Sequence, residues 1–117
     1  MIINNLYYYK ANVIRVIDGD TIKMNIDLGF KIFWEVNARL YGINTPELTS
    51  SDTVTRQKAI DAKNFIESVV KPGDSILVKS KILDKYGRPL CEVYYSKNEI
   101  FLNNELIEKG HAVIYLP

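Results

Sequence analysis

The chain predicts a mainly β domain with helices, a five-stranded Greek-key barrel of the OB kind with one inserted helix and a short C-terminal helix. Three observations point there. The first half alternates apolar and polar residues, rich in β-branched and aromatic types and broken at Asp18-Gly19 and Gly29. The apolar period then changes to that of a helix between Val54 and Val70. Two more alternating runs follow, separated by a charged turn and succeeded by a short helical pattern.

Leu6 to Ile17 and Thr21 to Asp27 form the first two strands around Asp18-Gly19, a tight-turn pair of the hairpin kind. Gly29 marks a second turn, and Phe30 to Gly42 reads as the third strand, with the only tryptophan, Trp34, expected in core or rim packing. Thr45-Pro46 ends it, since proline donates nothing to a ladder and restricts the residue before it. After a polar loop, Ala62, Phe65, Ile66 and Val69 fall on one face of a helix, with Asp52 or Thr53 as cap and Lys71-Pro72-Gly73 as stop. Ser75 to Ile82 and Pro89 to Tyr95 are the fourth and fifth strands, flanking the turn Asp84-Lys85-Tyr86-Gly87-Arg88; Ser96-Lys97-Asn98 ends the fifth. Leu102, Leu106 and Ile107 mark the second helix, Gly110 stands just past its end, and Val113 to Tyr115 adds a short extended piece.

At 117 residues the chain is expected to be one domain, 1–117, with a single core. Its 47% apolar and 25% charged residues are ordinary for a globular protein. No apolar run approaches the roughly 20 residues that span a bilayer, and the N-terminus lacks the basic region of a signal peptide, so no membrane role and a cytoplasmic setting are expected. Cys91 is the only cysteine, which excludes an intrachain disulfide and a two-cysteine metal site; in a core strand it reads as a small buried hydrophobe. A net charge of +1 means that binding to phosphates has to rest on a few placed cations.

The polar residues that resist a purely structural account gather at three turns: Asp18 to Thr21, Asn44 to Glu47 with Arg39 just before, and Asp84 to Arg88. If the strand ends converge at one rim, they make a small acidic pocket flanked by two arginines. Oxygen ligands without His or Cys favour a hard cation such as Ca²⁺ or Mg²⁺. Two forked guanidiniums suit a phosphodiester. Taken singly, each residue also has an ordinary use, as a turn former, a surface cation or a helix-flanking acid.

The runs VIDGDTIKM, RLYGINTPE, AKNFIE, DKYGRPL and LNNELIEKGHAVIY, in this order and spacing, resemble the staphylococcal nuclease (thermonuclease) family. The resemblance spans Val13 to Tyr115 and implies an OB barrel and Ca²⁺-dependent hydrolysis of DNA and RNA to 3′-phosphate ends, with single strands preferred and little sequence specificity. It implies Asp20, Asn44 and the carbonyl of Thr45 as metal ligands and Glu47 as the base acting on water. Arg39 and Arg88 are implied as clamps on the phosphate, with Lys85 and Tyr86 near the nucleotide's terminal phosphate and sugar.

Two positions depart from the family pattern. Asn44 stands where the family usually has aspartate, so a carbonyl oxygen remains but a negative charge is lost. A weakened rather than deleted metal site is the expectation, each factor of ten in affinity being about 1.4 kcal/mol. The family also continues into a third helix, whereas this sequence stops at Pro117; self-association, as a homodimer, is one way to cover the surface that helix would pack on. The rival reading is a catalytically inactive OB module that binds nucleic acid or protein. His111, the only histidine, reads as structural or solvated, and Tyr7-Tyr8-Tyr9 as a strand with alternating faces rather than a base-stacking surface.

Overall fold

A computed structural model describes residues 6–116; residues 1–5, which enter the signal-peptide argument above, and Pro117 lie outside it. In chain order the elements are β1 (Tyr8–Asp18), β2 (Thr21–Asp27), β3 (Phe33–Leu40), β4 (Ile43–Asn44), α1 (Thr53–Val69), β5 (Ser75–Leu83), β6 (Pro89–Tyr95), β7 (Ile100–Phe101), α2 (Leu102–Glu108) and β8 (Val113–Ile114). β1 pairs antiparallel with both β2 and β5, β2 with β3, and β5 with β6. Two parallel pairs, Arg39 with Leu90 and Leu40 with Cys91, join β3 to β6 and close the sheet. The result is a closed five-stranded barrel with two helices, the expected architecture.

Strand alternation sends Ile22, Met24 and Ile26 of β2 into the barrel, where they meet Val78 of β5 and Val93 of β6. Helix α1 covers one end with its buried residues Ala59, Ala62 and Ile66. Asp52 caps it, accepting from the Val54 amide at 3.3 Å and from Thr55 Oγ1 at 2.6 Å. Helix α2 ends in a Schellman motif: the Gly110 amide donates to the Ile107 carbonyl at 3.0 Å, and the His111 amide to the Leu106 carbonyl at 2.8 Å. Among the described residues no helix is long and apolar enough to cross a membrane.

Three local expectations need correction. The third strand begins at Phe33, not Phe30, because Leu28 and Ile32 close a turn on themselves, with the Leu28 amide 2.8 Å from the Ile32 carbonyl and the Ile32 amide 2.9 Å from the Gly29 carbonyl. Phe30 and Lys31 take φ values of 55° and 62° there, a left-handed conformation no strand contains. Tyr7 likewise has φ 67°, so β1 starts at Tyr8. Trp34, near this tip, is 37% exposed, the rim alternative of its expected placement; β3 itself ends at Leu40 and not at Gly42, whose φ of 82° turns the chain.

Two features fix the rim that matters below. Gly19 is buried, and a Cβ on it would lie 2.8 Å from Ala62 Cβ and 3.1 Å from Thr45 Oγ1. The β1–β2 turn therefore packs directly on α1 and on the Asn44–Thr45 segment, which only glycine permits. Asn103 of α2 is buried and fully bonded: its Nδ2 donates to the carbonyls of Tyr41 (2.9 Å) and Cys91 (3.0 Å), and its Oδ1 accepts from the Val93 amide (2.9 Å). One side chain thus ties the end of β3 to β6 where the barrel closes.

Candidate active site

Arg39 sits at the closure, with Thr21 of β2 opposite it on one side and Leu90 of β6 on the other. Gly42, at φ 82°, reverses the chain after β3 and brings Asn44 back over Arg39. Arg39 Nη2 donates a short hydrogen bond to Asn44 Oδ1 and lies 3.5 Å from Asp20 Oδ2. Asp20 is held there by its own turn: its carbonyl accepts from the Leu40 amide at 2.8 Å and its carboxylate from Thr21 Oγ1 at 3.0 Å. One guanidinium therefore gathers the two side chains that the sequence pattern singled out on separate turns.

Burial, reinforced by the hydrogen bond and the charge of neighbouring Asp18, pushes the Asp20 carboxyl up from its ordinary 3.8 to about 6, although Arg39 and Thr21 pull the other way. An anion so held accepts a cation readily, because a countercharge relieves the repulsion that burial leaves unscreened. The donors at hand are the Asp20 carboxylate, the Asn44 amide oxygen and, beside Gly19, the Thr45 segment, all hard oxygens. They suit a divalent ion of the Ca²⁺ class, with Asp20 as the one carboxylate among these three donors, a set short of negative charge. No cluster of three or more His, Cys, Asp or Glu that would hold a metal occurs among the described residues. A divalent ion held there would compete with Arg39 for the Asp20 and Asn44 oxygens.

Arg39 also lines a groove of about 380 Å³ with Arg88, Lys85 and Tyr86, walled on its apolar side by Ile82 and Tyr115 among others. Arg88 is fixed by Asp84: Nε to Oδ2 is 2.7 Å, while Oδ1 accepts from the amides of Tyr86 (2.8 Å) and Arg88 (2.9 Å). Burial works against the Asp84 carboxylate, but these donors and the Arg88 guanidinium outweigh it and hold the group below the usual carboxylate range. The Tyr86 ring has Lys85 Nζ 5.2 Å and Arg88 Cζ 5.6 Å from its centroid. The groove thus presents two guanidiniums and an ammonium beside apolar and aromatic walls, a combination suited to a phosphate joined to a flat ring.

Glu47 lies apart from these contacts. It is exposed in the loop after β4, its carbonyl accepts from the Ser50 amide at 3.2 Å, and its carboxylate makes no hydrogen bond or ion pair among the described residues. Sequence reasoning missed Asp84 as the anchor of Arg88, though a five-residue D-x-x-G-R turn with glycine before the arginine is a usable signal. It also missed Asn103, which no local pattern marks, and took Tyr115 only for an extended residue.

A closed five-stranded barrel carrying two arginines and an acid–amide pair at one rim defines a small class of phosphate-directed OB proteins. Residues 37–116 match the family model described as staphylococcal nuclease homologue, and the chain belongs to that family. It is 35% identical to the thermonuclease of Staphylococcus hyicus, an alignment covering 98% of this chain and 66% of that protein. It is 30% identical to the endonuclease YhcR of Bacillus subtilis (92% of this chain, 9% of that protein) and to the uncharacterized protein MJ1439 of Methanocaldococcus jannaschii (93% and 60%). The chain therefore spans less than two thirds of each of these relatives' lengths.

Proposed function

We propose that this chain, acting as one domain, is a Ca²⁺-dependent phosphodiesterase that cuts single-stranded DNA or RNA with little sequence specificity and leaves 3′-phosphate ends. The observation that carries the reading is the shared groove of Arg39 and Arg88, with Arg39 also touching Asp20 and Asn44. Asp20, Asn44 and the Thr45 carbonyl would hold the ion, which when bound polarises a phosphoryl oxygen. Arg39 and Arg88 grip the phosphate and stabilise the charge that grows on it in the transition state. Asp84 keeps Arg88 aimed, so that the clamp is formed before substrate arrives. Glu47, exposed and free of protein partners among the described residues, is open to a water molecule and takes its proton as the base. Lys85 and Tyr86 hold the terminal phosphate and sugar.

A cytoplasmic setting is part of this reading, and a single buried Cys91, whose thiol burial pushes up to about 12, is compatible with it. Self-association is supported by the β2–β3 tip, where Phe30 is 98% and Phe33 57% exposed; sedimentation velocity with and without Phe30→Ser tests it.

The deciding experiment is cleavage of a labelled single-stranded oligonucleotide in excess Ca²⁺ or in EDTA. Cutting in Ca²⁺ only, lost by roughly a hundredfold or more in both Glu47→Gln and Arg39→Ala, is the expected result. Absence of cutting by the unsubstituted chain at high Ca²⁺ leaves the catalytically inactive binding module as the better description.

A further inference from the structure

The groove of Arg39 and Arg88 borders the paired strands β4 and β8. It reaches Gly42 and Ile43 on one strand's approach and Tyr115 on the other's exit. One residue further along β4, at Asn44 and Thr45, and two residues back along the other strand, at Val113, a second cleft of about 320 Å³ begins. It continues into a further space of about 240 Å³, the two sharing Pro46, Lys58, Gly110 and His111. The cleft's charge comes from two separate parts of the fold, Lys58 of α1 and Lys109 at the end of α2, with His111 beside the latter. Asp61 is the one carboxylate among the lining residues, and it already accepts from Gln57 Nε2 at 2.9 Å. Two ammonium groups against one engaged carboxylate leave the cleft cationic, and the His111 ring is held by stacking on Phe65 at 5.2 Å.

We propose that this second cleft is a phosphate-binding subsite for the substrate strand, on the far side of the reacting bond from the arginine groove. The inference rests on the nuclease reading and extends it. An enzyme that cuts within a strand gains orientation by gripping the chain on both sides of the reacting phosphate, since binding to the non-reacting part holds the bond in place. Asn44 joins the two spaces, lining the second and bonding Arg39 of the first, so a strand laid across the β4–β8 pair passes from one to the other. Lysines, as mobile point charges, suit phosphates met without regard to base identity. Isolated lysines on helices are ordinary solvated groups; two lysines from separate helices opening on one cleft beside the reacting residues are not.

The test uses Glu47→Gln protein in Ca²⁺, so that binding is measured without cutting. Its ligands are a fluorescein-labelled octadeoxythymidylate and, in competition, deoxythymidine 3′,5′-bisphosphate, which is short enough to occupy the arginine groove alone. Adding Lys58→Ala and Lys109→Ala, both at exposed positions, should weaken the octamer about tenfold and leave the bisphosphate unchanged. The dependence of log Kd on log salt for the octamer should shrink by about 1.4, two phosphates at roughly 0.7 each. Unchanged octamer affinity, or equal weakening of both ligands, overturns the subsite. Should Arg39→Ala weaken both ligands while the lysine changes affect neither, the subsite alone falls. Should the Glu47→Gln protein bind neither ligand, the nuclease reading falls and the subsite with it.

Discussion

At the scale of single residues, the proposed cation site turns on Asn44. Its amide oxygen accepts from Arg39 while the same guanidinium faces Asp20, so Arg39 meets one carboxylate and one neutral amide directly, with Asp18 beside the carboxylate. Asn44→Asp adds a second anion without adding bulk. Ca²⁺ affinity should then rise about tenfold, or roughly 1.4 kcal/mol, read from the Ca²⁺ concentration that half-maximally shifts Tm. An unaltered midpoint takes Asn44 out of the coordination shell. The asparagine itself was legible in the sequence, because it stands in a fixed place before Thr45-Pro46-Glu47. Its bond to Arg39 was not, because that contact depends on the reversal at Gly42 rather than on any spacing along a strand. Gly19 shows the same limit. As part of a DG pair it reads as a turn former, whereas its tightest requirement is the 2.8 Å approach to Ala62 on a helix more than forty residues away.

At the scale of elements, the β5–β6 turn is organised by one carboxylate. Asp84 accepts from two backbone amides within the turn and from Arg88 Nε, so it sets both the turn's shape and the direction of the arginine. Asp84→Ala should lower kcat/KM by about tenfold with a smaller effect on Tm, and the loss should appear mainly in kcat if Arg88 acts on the transition state. A change confined to Tm would make Asp84 a turn former only. Helix α2 offers the opposite case, in which the element was plain and its main residue was hidden. Leu102, Leu106 and Ile107 announced the helix by spacing, while Asn103 looked like one more polar surface residue. It is buried, and Asn103→Leu leaves the Tyr41 carbonyl and the Val93 amide without their side-chain partner at the barrel closure. A loss of about 2 to 4 kcal/mol in urea unfolding is the expected outcome. The misplaced start of β3 has a similar origin. Phe30 to Phe33 has the composition of a strand, and nothing in Phe30 or Lys31 declares the left-handed backbone they adopt.

At the scale of the whole molecule, closing the barrel through β3 and β6 sets a largely buried acid, Asp20, next to the arginine that completes the closure, and on the proposed reading folding and metal binding are linked through it. Its carboxyl sits near 6 in the folded chain against an ordinary 3.8, so the folded state favours the protonated form. The stability associated with that proton is fully present below pH 4 and is lost as pH rises through 6. Carboxylates held low, Asp52 and Asp84, act in the opposite sense and in a more acid window, since what they contribute is lost only as pH falls through their own depressed values. A comparison of the parent chain with Asp20→Asn therefore isolates the buried acid. In EDTA, the Asp20→Asn protein should be the more stable at pH 8, by on the order of 2 kcal/mol or roughly 5 to 10 °C in Tm, with the difference shrinking toward pH 4. Addition of millimolar Ca²⁺ should raise the Tm of the parent and leave that of Asp20→Asn in place, because only the parent offers a carboxylate to the ion. A parent chain that is already the more stable at pH 8 in EDTA would mean that Arg39 satisfies Asp20 without a metal, and the rim would then be a closed ion pair rather than a cation site.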